Sequence, residues 1–86
     1  MSTRKEEIKK LIIERLNLKI QIEEFRDEAP LFSAKEDGGI GLDSVDALEI
    51  AVGIMNDYEI EITDEDMHIF ESVNSIDKFI EERQNS

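Results

Sequence analysis

The sequence predicts an all-α fold: a small four-helix bundle of three longer helices and one short helix, with a long loop between helices 1 and 2. Apolar residues recur at helical rather than alternating spacing in four segments. Residues suited to capping stand before those segments, at Thr3, Asp43, Thr63 and Ser72 or Asn74. Pro30 and the pair Gly38-Gly39 fall together between the first two segments and argue against a continuous helix there. A length of 86 residues suits one domain spanning 1–86 with a modest core.

Thr3-Arg4-Lys5-Glu6 fits a capping box, and Ile8, Leu11, Ile12 and Leu16 follow on one face. The first helix is expected over about 4–16, with Asn17 as its stop. Leu18, Ile20 and Ile22 then alternate with polar residues, but no second strand is evident to pair with them. Phe25, Leu31 and Phe32 are expected to tack this loop onto the core. The stretch 17–42 is long for a structureless connection, and such segments are functional or hide a short helix.

The second helix is expected over about 43–58, opened by Asp43 with Asp46 three residues on. Val45, Leu48, Ala51, Val52, Met55 and Tyr58 are read as its broad apolar face, widened by Ile50 and Ile54. Gly53 within it costs about 1 kcal/mol relative to Ala and marks close packing. A short third helix is expected over 64–70 after Thr63. The last helix is expected over 73–83, with Val73, Ile76, Phe79 and Ile80 inward.

Composition narrows the function. There is no cysteine, which excludes disulfides and thiolate metal sites and fits a reducing compartment. The charged N-terminus lacks the apolar core of a secretory signal. No apolar run approaches the roughly 20 residues of a membrane span, so a cytoplasmic location is the expectation. The net charge is −12, and no Lys or Arg stands between Glu36 and Asp77. Such a field repels nucleic acid and anionic lipid and attracts basic surfaces. Aromatic and β-branched residues are too frequent for a disordered acidic tail. His68 is the only histidine and has no evident catalytic or ligand partner. Counted from Asp64, an EF-hand needs Gly at its sixth position and Glu at its twelfth. Ile69 and Ser75 stand there, which excludes that loop.

The run Gly41-Leu42-Asp43-Ser44-Val45-Asp46-Ala47-Leu48-Glu49-Ile50 resembles the signature of the acyl carrier proteins, the phosphopantetheine-binding family. The resemblance extends to Tyr58–Asp66, to Ser72-Val73 with Phe79-Ile80, and to Ala29-Pro30-Leu31-Phe32. It covers most of the chain from Ala29 onward. The resemblance implies that a phosphopantetheinyl transferase moves a 4′-phosphopantetheine arm from coenzyme A onto Ser44. It implies a non-enzymatic, monomeric carrier of acyl thioesters, serving acyl-transferring and acyl-modifying enzymes of fatty-acid, polyketide or related lipid synthesis. Asp43, Asp46 and Glu49, with Leu42 and Val45, are then the expected partner-recognition residues, their carboxylates meeting basic patches. Leu48, Ile54, Ile62, Met67, Phe70 and Phe79 are the residues that by position line an acyl cavity, or simply pack as core. An arm on Ser44 would place its phosphodiester at the positive end of a helix dipole.

Two departures point to a specialised carrier. Ser33–Gly39 lengthens the approach to the motif, and Met55-Asn56 stands where such carriers are often acidic. Three readings compete with this one: a carrier of aminoacyl or peptidyl groups, an unmodified acidic interaction module, and Ser44 as an ordinary helix cap.

Overall fold

Thr3 starts α1 (Arg4–Leu16): its hydroxyl accepts the Glu6 N–H at 3.2 Å. Asn17 ends the helix in the left-handed region, φ 53°, a conformation asparagine tolerates better than most residues. The computed structural model describes residues 3–84, so the outermost residues of the 1–86 span lie outside the described residues. After α1 come α2 (Ser44–Tyr58), a 3-10 helix (Asp64–Glu71) and α3 (Val73–Gln84), with no strand among the described residues. The third segment is helical where expected, but it winds as 3-10 rather than α. Ser72 rather than Asn74 caps α3, its hydroxyl accepting the Ser75 N–H at 3.3 Å.

Side-chain links set the directions. Arg15 meets Glu49 near one end of the α1–α2 pair, and Glu7 meets Tyr58 near the other. These helices are therefore antiparallel, and the C-terminus of α1 lies at the same end as the N-terminus of α2. Arg4 reaches Asp77 and Glu81, which docks the start of α1 on α3. The core between them is made by Ile8 and Ile12 of α1, Ile50 and Ile54 of α2, Phe70 of the 3-10 helix, and Val73, Ile76 and Ile80 of α3, all fully buried. Burying each such side chain stabilises the fold by about 1.5–3 kcal/mol before entropy is counted.

The long connection is folded back on itself by its backbone. Ile40 N–H donates to Pro30 O at 3.1 Å, Leu42 N–H to Leu31 O at 2.8 Å, and Gly41 N–H to Ser33 O at 2.9 Å. Leu31 N–H donates to Glu71 O, and Asn74 N–H to Asp27 O, so the loop is also tied to the two C-terminal helices. Two single 3-10 turns, Ile22–Glu24 and Lys35–Asp37, lie within it. Gly39 is required by this folding: a Cβ there would fall 2.7 Å from the Pro30 carbonyl oxygen. Phe25 and Leu31 anchor the loop in the core. Phe32 does not. It is 43% exposed, because the turn back toward Gly39 leaves it outside.

The face of α2 also differs from the expectation. Val45, Leu48 and Val52, part of the apolar face expected of α2, are 70%, 56% and 46% exposed. The buried side is Ala47, Ile50, Ala51, Gly53 and Ile54. α1 crosses α2 close to these small residues. Arg15 lies over Gly53, where a Cβ would sit 2.7 Å from the Arg15 Cδ.

Candidate functional site

Ser44 is the first residue of α2 and is exposed. It does not cap the helix. Asp43 does: its Oδ1 accepts the Asp46 N–H at 3.0 Å, and Asp46 Oδ2 accepts the Asp43 N–H at 3.1 Å. This reciprocal box satisfies the helix start without the serine. The Ser44 hydroxyl has no hydrogen-bond partner among the described residues. The reading of Ser44 as a cap is thereby replaced by an exposed, solvent-facing hydroxyl, at the N-terminal end of α2 where the helix dipole favours an anion.

The residues expected around it divide into three groups. Val45 is exposed beside Ser44, and Leu48 and Val52 continue the same stripe along α2 at helical spacing. Asp43 and Glu49 are exposed, and Asp46 is partly so. Leu42, expected as a contact residue, is instead turned into the core at 7% exposure and anchors the motif from below. Glu49 is exposed but not free, since Arg15 Nη1 donates to its Oε1 at 2.9 Å. That pairing was not visible in the sequence. The only hint was a glycine inside an apolar helix, the residue that gives Arg15 its path across α2.

The six residues expected around an acyl cavity differ in burial. Ile54, Ile62 and Phe70 are buried in the close-packed core cluster, while Met67 and Phe79 pack partly buried at its edge. Arg83 lies over the Phe79 ring, 4.7 Å from its centroid. Leu48 is on the outer stripe. No protein-family model matches the chain.

Elsewhere the titratable groups serve structure. Burial, followed by the nearby Glu7 carboxylate, pushes the Tyr58 hydroxyl up to about 12. The Thr63 N–H, and then its hydroxyl, hold the Asp66 carboxylate below its ordinary 3.8. His68 is exposed and its Nδ1 lies 3.1 Å from the Glu65 carbonyl. Among the described residues, no group of three or more His, Cys, Asp or Glu side chains is placed to hold a metal ion. No helix among them is long and apolar enough to cross a membrane.

Proposed function

We propose that this chain is an acyl carrier protein, modified on Ser44. The observation that carries the reading is the free Ser44 hydroxyl at the first position of α2, with Asp43 taking the capping role in its place. A modifying enzyme needs a hydroxyl that is exposed and unpaired, and both conditions hold here. The residues fit a phosphopantetheine: Ser44 would hold it, and the first turn of α2 would face its phosphodiester. When bound, that group supplies a terminal thiol able to carry an acyl group as a thioester, which a chain without cysteine otherwise lacks. In the loading step, Ser44 Oγ bonds to the β-phosphorus of coenzyme A. The pyrophosphate P–O bond breaks, 3′,5′-ADP leaves, and the hydroxyl proton passes to the transferase.

The exposed Val45–Leu48–Val52 stripe supports the reading further. Large apolar side chains left in water beside carboxylates suit a docking surface for partners that are apolar at the centre and basic at the rim. Carboxylate contacts there speed encounter and fix orientation more than they add affinity, which suits a shuttle. The chain itself performs no chemistry on its cargo in this reading, and its place of action is the cytoplasm. The specialised character assigned from residues 33–39 and from Met55-Asn56 belongs to the same proposal.

The test is an intact mass after incubation with coenzyme A and a broad-specificity phosphopantetheinyl transferase. One added phosphopantetheine in the parent, and none in Ser44→Ala with unchanged circular dichroism, is the expected result. No gain with several transferases would instead favour an unmodified interaction module using the same stripe. Charging with an aminoacyl group but no acyl group would move the assignment to the aminoacyl carriers.

A further inference from the structure

The long connection does more than link two helices. Its segments Leu18–Ile20 and Gly38–Ile40 face each other across a cleft of about 280 Å³, with Arg26 also on its wall. The residues that lengthen the approach to the motif help to build it. The cleft lies at the Ser44 end of the molecule, because the antiparallel α1 delivers Leu18 to the end from which α2 departs. Ile40 is only four residues from Ser44, so their Cα atoms are at most about 14 Å apart. Leu18, Ile20 and Ile40 give it an apolar wall and are only partly buried. Lys19 lines it too and has no ion pair among the described residues, whereas Arg26 is held by Glu28 at 2.8 Å.

We propose that this cleft, rather than the helical core, is the resting place of a short acyl group carried from Ser44, with Lys19 donating to an oxygen of that group. The inference rests on the carrier reading above. Three observations select the occupant. The core is the wrong host, because Ile54, Ile62 and Phe70 are close-packed and an acyl chain would have to open them. The cleft is open, and a group tethered at Ser44 meets it at high effective concentration, so a shallow apolar wall is sufficient. Size sets the class. At about 30 Å³ for a water-sized group, the cleft takes roughly nine such groups, which suits a short acyl chain and not a long fatty one. Gly38 stands at the rim with φ 84°, and a Cβ there would meet nothing within 4 Å. A side chain at that position on the cleft lining would therefore meet only open space.

The experiment loads the full chain by transferase from hexanoyl-, palmitoyl- or unacylated coenzyme A, checks each product by intact mass, and compares backbone amide spectra. With hexanoyl, the expected result is a set of shifts at Lys19, Ile20 and Gly38–Ile40 that the unacylated arm does not give. Gly38→Asn keeps a residue that tolerates positive φ and adds bulk to the cleft lining; it loads normally but weakens those shifts. Lys19→Ala, an exposed change that leaves the core untouched, weakens them. Palmitoyl gives cleft shifts that are smaller, or that spread beyond it. Full loading with hexanoyl-dependent shifts at Ile54, Ile62 and Phe70, or with none outside the first turn of α2, overturns the cleft and leaves the carrier assignment standing. Absence of any mass gain overturns both.

Discussion

Gly53 shows how one residue sets what a surface offers. Its missing Cβ lets Arg15 cross α2 and hold Glu49, so the carboxylate expected to be free is engaged within the molecule. Gly53→Ala sets two small effects against each other. Helix propensity gains about 1 kcal/mol, while displacing a half-exposed ion pair costs about 0–1 kcal/mol. Stability should therefore change by less than about 1 kcal/mol, and Glu49 should be released. Arg15→Gln should release it too, without the propensity gain. Chemical denaturation checks the first outcome. The nuclear magnetic resonance chemical shift of the Glu49 side chain at one pH in both variants checks the second, and an unchanged Glu49 environment would show that the pair is not held by the glycine. Glu59 is a second residue of this kind. It ends α2 with φ 52°, a left-handed conformation that costs a non-glycine residue about 1–2 kcal/mol, and it places a negative charge at the negative end of the dipole. Glu59→Gly should raise stability by about 1 kcal/mol, or about 4–8 °C in Tm for a domain of this size. Glu59→Gln should recover only the charge part.

Elements were legible in the sequence to the extent that their signals are local. Thr3, Asp43, Thr63 and Ser72 mark helix starts through bonds spanning three residues, and Asn17 marks a stop through its own backbone. The face of α2 was not legible, because apolar side chains dominate any count of hydrophobicity. Val45, Leu48 and Val52 outweigh Ala47, Ala51 and Gly53, yet the small residues are the ones that admit α1. The loop's fold was hidden for a different reason. Its order comes from backbone pairs such as Pro30–Ile40 and Leu31–Leu42, which leave no periodic trace in side chains. At the candidate site, Ser44 stood out from its surroundings, whereas the core position of Leu42 and the engagement of Glu49 depend on contacts distant in sequence. The element that positions the serine can be tested directly. Asp43→Ala removes the acceptor of the Asp46 N–H and should destabilise the fold by about 0.5–2 kcal/mol through α2. Asp43→Asn, which retains an acceptor, should recover most of this in the same denaturation series. Tyr58 gives the matching test at the far end of α2. Its folded-state value is raised from 10.0 to about 12, so its contribution is fully present below pH 10 and is lost as pH rises toward 12. Tyr58→Phe should flatten the fall in stability over that window.

Charge is organised at the scale of the whole molecule. Residues 1–19 carry six Lys or Arg and three Glu, while residues 20–86 carry four Lys or Arg and nineteen Asp or Glu. The fold applies the first group to the second. Arg4 binds Asp77 at 2.6 Å, Lys9 binds Asp27 at 2.5 Å, and Arg15 binds Glu49 at 2.9 Å, so α1 acts as a cationic strap across an acidic body. Added salt acts on both parts in opposite senses. Screening over about 10 Å at 0.1 M weakens repulsion among the many carboxylates that have no cation beside them. It also weakens the strap, but contact pairs lie well inside that length, and exposed pairs contribute only about 0–1 kcal/mol each. Repulsion is the larger quantity, since the acids outnumber the cations so heavily. Tm at neutral pH should therefore rise with NaCl, and more steeply with MgCl₂ at equal ionic strength. Replacing Arg4, Lys9 and Arg15 together by Gln should lower Tm in dilute buffer and steepen its rise with salt, because the acidic body then lacks its strap. A melting temperature that is flat or falls with salt in the parent protein would mean that the strap already balances the body, and that its pairs contribute more than exposed ion pairs ordinarily do.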